Sequence, residues 1–277
     1  MINSRGAEQA AAPEIPADVA RLLVEEAERI NSPAFIAADP VQFPRSFSAL
    51  QDIEIASLLS AIIAWGNRKM ICRDAERLFD MMDRQPYAFV MEEAYERLDP
   101  ERNVHRTLFC GHLAHFLRGL RAIYKRYPSL DAYAAAKRVG ESSQYPAYEL
   151  AALLVHEAEE ANGGVSCSRC LPTNLRTTAL KRLNMALRWL VRDDGIVDLG
   201  VWKSIPKSRL LIPMDVHVGN TARSLGLLLR KANDRRSTEA LTALLSTLRP
   251  DDPAIFDYAL FGIGVESRLA DLQPLTD

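Results

Sequence analysis

The chain has 277 residues, of which 48% are hydrophobic and 25% charged, and its formal net charge at pH 7 is −2. This composition is typical of a globular protein, which excludes an intrinsically disordered chain, and near-neutrality argues against a protein that coats nucleic acid. The four cysteines are too few for a disulfide framework, the N-terminus has no basic segment followed by an apolar core, and the most apolar run, residues 53–65, is too short to span a bilayer. We therefore expect a cytoplasmic protein with no membrane segment.

The first fifty residues predict a tail, a helix and a connection. Residues 1–16 are rich in Ala, Pro and Glu and predict a disordered tail. Apolar residues at helical spacing predict a helix over residues 17–30. Residues 33–47 contain three prolines and show no period, which predicts an irregular connection.

The next hundred residues predict helices only. Asp52 is the expected N-cap of a buried helix that ends at Trp65-Gly66-Asn67, where Gly66 suits a left-handed C-terminal cap. A second helix begins near Arg68, so the two helices meet at this turn. Strand signals are almost absent, and we expect an all-α protein. Further helices are predicted over residues 86–97, 105–126, 129–138 and 146–160.

Residues 180–192 predict an amphipathic helix with Lys181, Arg188 and Arg192 in a narrow arc opposite its apolar face. No carboxylate follows these cations at the third or fourth position, so we expect their charge to be free for an anion. Residues 165–236 hold 14 Lys and Arg and 5 Asp, a net charge of +9, whereas residues 1–164 carry −6 and residues 237–277 carry −5. This asymmetry is typical of a surface that binds a phosphate backbone. The alternative is a solvated basic face with no partner.

Cys167 and Cys170 stand in a loop just before this helix. A zinc site would need a second close pair of ligands, and the other cysteines and the histidines are scattered. The spacing does not fit the four-cysteine runs that hold iron–sulfur clusters. We therefore expect two surface thiols, with no metal and no cluster.

Downstream, the pattern predicts a helix capped by Asp215, which follows Pro213 by two residues and precedes a helical run that Gly226 can terminate. From spacing alone, a simple capping role is the alternative to any catalytic role for this residue. A last helix is predicted to open at Asp252-Pro253 and to run through Ile263.

Together these pieces resemble the DNA glycosylase superfamily named for its helix–hairpin–helix and Gly/Pro-Asp motif. In that superfamily, a Lys at the start of one buried helix and an Asp capping the next face a shared cleft, and Lys181 and Asp215 match these positions. The segment Pro213-Met-Asp-Val-His217 is similar to the superfamily's Pro-Val-Asp-Val-His or Val-Asp-Thr-His signature. The resemblance covers about residues 50–265.

Other segments carry the resemblance further. The helix pair that meets at Asn67 is similar to the superfamily's early helix pair, whose turn inserts a polar side chain into the duplex. Phe256 to Val265 looks like its late helix, which packs behind the site. The long spacing from Lys181 to Asp215 is similar to that of the archaeal 8-oxoguanine glycosylases. Lys-Arg-Leu-Asn-Met and Leu-Arg-Trp resemble the hallmark of an uncharacterised bacterial family recorded as a domain of unknown function. The stretch before Lys181 lacks the Gly-x-Gly hairpin that grips a DNA phosphate in the superfamily.

The resemblance implies a two-lobed helical fold with a cleft between the lobes, one made of residues 17–50 and 210–277 and the other, a central helical barrel, of residues 51–209. It implies a base-excision glycosylase, with or without lyase activity, acting as a monomer and without a cofactor on duplex DNA that holds a damaged base. Lys181 would be the nucleophile and Asp215 the anion that stabilises the sugar cation. The residues expected to bind DNA are Asn67 as the wedge, Arg68, Arg182, Arg188, Arg192 and His217.

Two other functions stay open at this point. A catalytically silent helical module would bind nucleic acid or a protein with the same basic cleft, using the arginines but needing neither Lys181 nor Asp215. A purely structural interaction protein would carry the cations as a solvated face and Asp215 as a helix cap. The glycosylase hypothesis requires both side chains to face one cavity. Trp65 and Trp189 either stack on a base or belong to the core.

Overall fold

The computed structural model describes residues 14–142 and 144–266. Helices dominate this part of the chain, and its strands form one short antiparallel hairpin, β1 (Asn103–His105) and β2 (Leu108–Phe109), so the predicted all-α class is confirmed. The α-helices are α1 (Ala17–Ile30), α2 (Pro33–Ile36), α3 (Leu50–Ile62), α4 (Arg68–Met81), α5 (Pro86–Met91), α6 (Cys110–Tyr124), α7 (Leu130–Ala136), α8 (Val139–Ser142), α9 (Pro146–Ala161), α10 (Lys181–Val191), α11 (Val216–Ser224), α12 (Arg235–Leu245) and α13 (Phe256–Glu266). Short 3-10 helices lie at Pro40–Gln42, Pro44–Ser46, Ala94–Arg97, Lys207–Arg209 and Pro253–Ile255.

Several predicted elements differ from the structure. Helix α3 begins at Leu50, and the carboxylate of Asp52 accepts a hydrogen bond from the backbone N–H of Tyr87 at 2.8 Å, so the prediction that Asp52 caps this helix is wrong. The predicted helix over residues 86–97 is interrupted after Met91, and α12 was not predicted. The irregular connection at 33–47 contains α2 and two 3-10 turns, each opened by a proline, because the fixed φ of proline suits a first helical turn.

The hairpin replaces the first turn of the helix predicted over residues 105–126. The ring of His105 is fully buried; its Nδ1 lies 2.8 Å from Oδ2 of Asp74 in α4, and its Nε2 lies 2.9 Å from the carbonyl oxygen of Trp65. These two contacts hold β1 against the turn between α3 and α4. A helix starting at residue 105 would forfeit both contacts, so α6 begins only at Cys110.

Helix α10 packs against α3 in the centre of the molecule. Helix α3 is buried at every position from Ile53 to Ile62, as expected of a mostly apolar helix enclosed by other elements. The apolar face of α10 contributes Leu187 and Leu190, and Trp189 is also fully buried, so this indole is core rather than a stacking platform.

The carboxyl group of Glu54 connects several elements to α3 by hydrogen bonds. Its side chain is fully buried and accepts hydrogen bonds from Tyr124 Oη, the backbone N–H groups of Leu130 and Asp131, and Trp202 Nε1, at 2.9–3.0 Å. Burial raises the pKa of this carboxyl to about 7, although all four donors favour its ionised form. The central helix is thereby tied to α6, to α7 and to the connection after α10.

The first and last described helices lie together, since α1 packs along α13, and α11 packs on the same helix. The division into two lobes stays a prediction. Residues 1–13 of the predicted tail and residues 267–277 lie outside the described residues, whereas Ile15, which belonged to the predicted tail, is buried. Among the described residues, no helix is long and apolar enough to cross a membrane.

Candidate active site

A cavity of about 820 Å³ opens where the turn between α3 and α4, the N-terminus of α10, the N-terminus of α11 and the last helix, α13, meet. Its size is within the range of small-molecule sites. Its apolar wall includes Phe35, Trp65, Met185 and Phe261. The polar and charged side chains that line it are Asp39, Arg68, Lys181, Arg182, Arg188, Asp215, His217, Asn233, Asp257 and Tyr258.

Lys181 is the first residue of α10. The preceding Leu180 has a left-handed backbone with φ of 50°, a conformation that is uncommon for a residue with a side chain, and its side chain is buried. Nζ of Lys181 donates a hydrogen bond to the carbonyl oxygen of Ala64 at 3.2 Å. The lysine side chain is 27% exposed. The ammonium group is therefore fixed at the end of α3 while it remains accessible from the cavity.

Asp215 is the N-cap of α11, as predicted. Its Oδ1 accepts a hydrogen bond from the backbone N–H of Val218 at 2.9 Å. Its Oδ2 lies 3.9 Å from Nζ of Lys181, and the carboxylate side chain is 24% exposed. One oxygen thus serves the helix and the other faces the lysine across the cavity wall. The structure brings the two residues to one cavity, which the glycosylase hypothesis requires.

Two further carboxylates line this cavity that no pattern in the sequence predicted to lie at the site. Asp39 is buried and lies 3.4 Å from Arg68, and burial raises the pKa of its carboxyl against the attraction of that arginine. Asp257 is paired with Arg188, and burial raises its pKa to about 6. Each residue looks like an ordinary surface acid next to a helix start, and only the fold puts them near Lys181.

The prediction that Arg188 and Arg192 are free for an anion is wrong. Both side chains are buried, with 4% and 1% exposure. Arg188 is paired with Asp198 and Asp257, and Arg192 is paired with Asp194, Asp198 and Asp252. A buried guanidinium needs such partners, because its desolvation would otherwise cost several kcal/mol. Both arginines hold separate segments of the fold together, and although Arg188 lines the cavity, its charge is already paired with two aspartates.

The other cations predicted to bind DNA differ in their surroundings. Arg182 donates from Nη1 to the carbonyl oxygens of Ile62, at 2.9 Å, and Arg169, at 3.3 Å, and burial lowers its pKa. Arg68 lies over the ring of Phe261 at 4.9 Å and takes part in the contact with Asp39. Both line the cavity, but neither is a freely exposed charge.

Asn67 and His217 lie at the edge of this region. The side chain of Asn67 is exposed, and its Oδ1 accepts from the backbone N–H groups of Lys69 at 3.0 Å and Met70 at 3.4 Å, so it caps α4. A role as a wedge in DNA stays a prediction. His217 is exposed, lines the cavity and contacts the ring of Phe261 edge-on.

The two loop cysteines do not match the expectation of two surface thiols. Cys170 is buried, its Sγ lies 3.5 Å from the carbonyl oxygen of His112, and burial raises the pKa of its thiol to about 12. Cys167 is half-buried. Within the described part of the chain, no group of His, Cys, Asp and Glu side chains is arranged to hold a metal ion.

Comparison with known proteins gives one match. Residues 39–266, which include α10, Asp215 and every lining residue of the cavity except Phe35, match the family described as Protein of unknown function (DUF2400). No curated protein and no solved structure matches the chain. The resemblance to a domain of unknown function is therefore supported, and the glycosylase superfamily stays a hypothesis. Because the match covers most of the sequence, the chain belongs to this family of unknown function.

Proposed function

We propose that the chain is a DNA base-excision glycosylase in which Lys181 is the nucleophile and Asp215 its electrostatic partner. The observation that carries the proposal is the 3.9 Å separation between the lysine Nζ and the aspartate Oδ2 on the wall of the 820 Å³ cavity. A target base cannot be reached inside a duplex, so the nucleotide has to be extruded into such a cavity. The aromatic wall formed by Trp65 and Phe261 suits a flat ring.

The two groups suit the reaction by their charge and position. The ammonium group of Lys181 first loses a proton to solvent. Its amine then attacks C1′ of the sugar, the bond from C1′ to the base breaks, and the base leaves with the electron pair. The amine proton passes to the leaving base or to solvent. Positive charge that develops on the sugar lies next to Oδ2 of Asp215 and is stabilised there. Opening of the sugar ring then gives an imine to Lys181, which borohydride reduces to a stable amine.

The burial of Arg188 and Arg192 favours an enzyme over a catalytically silent module that only binds DNA. Such a module needs outward arginines and has no use for Lys181 or Asp215. Arg188 and Arg192, the arginines predicted for that task on α10, are buried in ion pairs, while the lysine and the aspartate are open to the cavity. A purely structural role accounts for the hydrogen bond of Lys181 to Ala64 and for the cap of α11, but it does not require both side chains to line one cavity.

The test is borohydride trapping on a panel of duplexes that each hold one damaged base. The wild-type protein should form a covalent adduct with at least one of them, and Lys181→Gln should form none while it still folds. Lys203→Gln is the matched control, because Lys203 is 71% exposed and does not line the cavity. An adduct that persists in Lys181→Gln, or that disappears equally in Lys203→Gln, contradicts the proposed nucleophile. No adduct with any duplex contradicts the proposed function.

A further inference from the structure

We infer that a second cavity beside the first binds a phosphodiester group of the strand whose nucleotide enters the larger cavity. The identity of this strand rests on the proposed function. The second cavity has a volume of about 470 Å³ and shares Trp65 and Arg182 with the larger one. Its remaining lining residues are Thr107, Leu108, Ser168 and Arg169.

The lining of this second cavity has the chemistry of an anion site. Its polar side chains are two guanidinium groups, of Arg169 and Arg182, and two hydroxyls, of Thr107 and Ser168, and no carboxylate lines it. The larger cavity, in contrast, contains three aspartates. Arg169 is exposed and makes no ion pair within the described residues. Donors without an acid among them favour phosphate oxygens.

The hairpin adds a third cation at the same edge. Arg106 stands at its turn, and its guanidinium lies 4.7 Å from the ring centroid of Trp65. No carboxylate pairs with it among the described residues. The contacts of His105 with Asp74 and with the carbonyl oxygen of Trp65 fix the hairpin, so the arginine is held beside the wall that the two cavities share.

Gly66 makes room for this arginine. Its backbone has φ of +109°, which a residue with a side chain rarely adopts, and a Cβ built there would lie 2.7 Å from Nη1 of Arg106. The turn between α3 and α4 therefore lets the guanidinium approach closely. Arg106, from the hairpin, lies over the ring of Trp65, and Arg169, from the loop before α10, lines the second cavity together with that indole. We call these two arginines the cationic rim of the second cavity.

The strand explains why the two cavities adjoin. A nucleotide extruded into the larger cavity stays attached to its strand through a phosphate on each side. Because Trp65 and Arg182 line both cavities, the cavity without carboxylates lies directly beside the one that would hold the extruded nucleotide. A phosphate there neutralises the unpaired rim, and counterions released from the strand add to the affinity. Phosphate contacts of this kind position the strand without reading its sequence.

The test compares two double variants by fluorescence anisotropy on a labelled duplex that holds a tetrahydrofuran abasic analogue. Arg106→Gln with Arg169→Gln removes the rim. Arg176→Gln with Arg236→Gln is the matched control, since both residues are exposed, make no ion pair within the described residues and line neither cavity. The slope of log affinity against log salt, measured between about 50 and 200 mM, should fall by about 0.9 per lost phosphate contact in the rim variant and much less in the control.

Borohydride trapping separates this inference from the proposed function. The rim variant should need more protein than the wild type for half-maximal adduct, because it binds the duplex more weakly while Lys181 is unchanged. Neither inorganic phosphate nor a mononucleotide should compete at concentrations where an unlabelled oligonucleotide does. If the wild type forms the adduct and the rim and control variants have equal slopes, the inference is wrong and the proposed function stands. Competition by free phosphate as strong as by the oligonucleotide would also overturn it. Failure of the wild type to bind and to form an adduct overturns both.

Discussion

Replacing Asp215 by Asn separates the two tasks that the structure gives to this carboxylate. Oδ1 caps α11 by accepting from Val218 N, and Oδ2 faces Lys181 at 3.9 Å. An Asn side chain keeps one carbonyl oxygen for the cap, and Asn is nearly as good an N-cap as Asp. It removes the negative charge that would face the developing sugar cation.

The two losses differ greatly in size. The helix keeps its cap, so the stability change is limited to the loss of a charge near the helix N-terminus, about 0.3–1 kcal/mol, and of a partly exposed ion pair, about 0–1 kcal/mol. We expect a melting temperature lower by only a few degrees, roughly 2–4 °C per kcal/mol for a chain of about this size. Removing a preorganised electrostatic group typically costs a factor of about 10²–10³ in rate. The rate should therefore fall by that factor while the protein stays folded.

The assay combines single-turnover base release with thermal unfolding of the same preparations. Asp234→Asn is the control, because Asp234 caps α12 in the same way, accepting from Ser237 N at 2.9 Å, and lies outside the lining of the cavity. It should show a similar small change in stability and no change in rate. An unchanged rate in Asp215→Asn would refute the catalytic role and leave a helix cap only. An equal rate loss in both variants would point to general damage to the fold.

Three further variants test the buried and capping groups. Arg188→Met leaves Asp257 buried without its ion-pair partner and leaves Asp198 with Arg192 alone, so the free energy of unfolding in urea should fall by about 3–5 kcal/mol. Burial raises the pKa of the Glu54 carboxyl from 4.5 to about 7, so between these pH values the folded protein binds a proton that the unfolded chain has lost. As the pH rises from about 4.5 to about 7, the wild type should therefore lose roughly 3 kcal/mol of stability relative to Glu54→Gln. Asn67→Ala removes the acceptor that caps α4 and should lower stability by about 1 kcal/mol in thermal unfolding.

Each of these variants has an outcome that contradicts its reasoning. If Arg188→Met is as stable as the wild type but binds DNA more weakly, this arginine reaches solvent. A stability difference between wild type and Glu54→Gln that does not depend on pH would show that the four donors keep the pKa of Glu54 near its ordinary value. Unchanged stability in Asn67→Ala would mean that the cap contributes nothing, and Asn67→Asp, which retains an acceptor, is its control.

Local patterns in the sequence were sufficient for the helical class, for most helix positions and for placing Lys181 and Asp215 at helix starts. Helix periodicity and capping depend on residues a few positions apart, so α1, α9 and α10 begin and end close to their predicted bounds. The cap at Asp215 and the position of Lys181 at a helix start follow from the same short-range rules. Neither rule predicts that the two side chains lie close together. Only the resemblance to the glycosylase superfamily predicted that they line one cavity.

The tertiary structure alone determines which charged side chains are buried and paired when their partners are distant in sequence. Arg188 and Arg192 look unpaired because a helix pattern registers only partners three or four positions away, whereas Asp257 and Asp252 are 69 and 60 positions away from them. The hairpin was missed because it depends on the contact of His105 with Asp74, 31 positions earlier. Burial and pairing depend on packed surfaces from separate segments, because a cation can be buried only where carboxylates from those segments offset the cost of removing it from water.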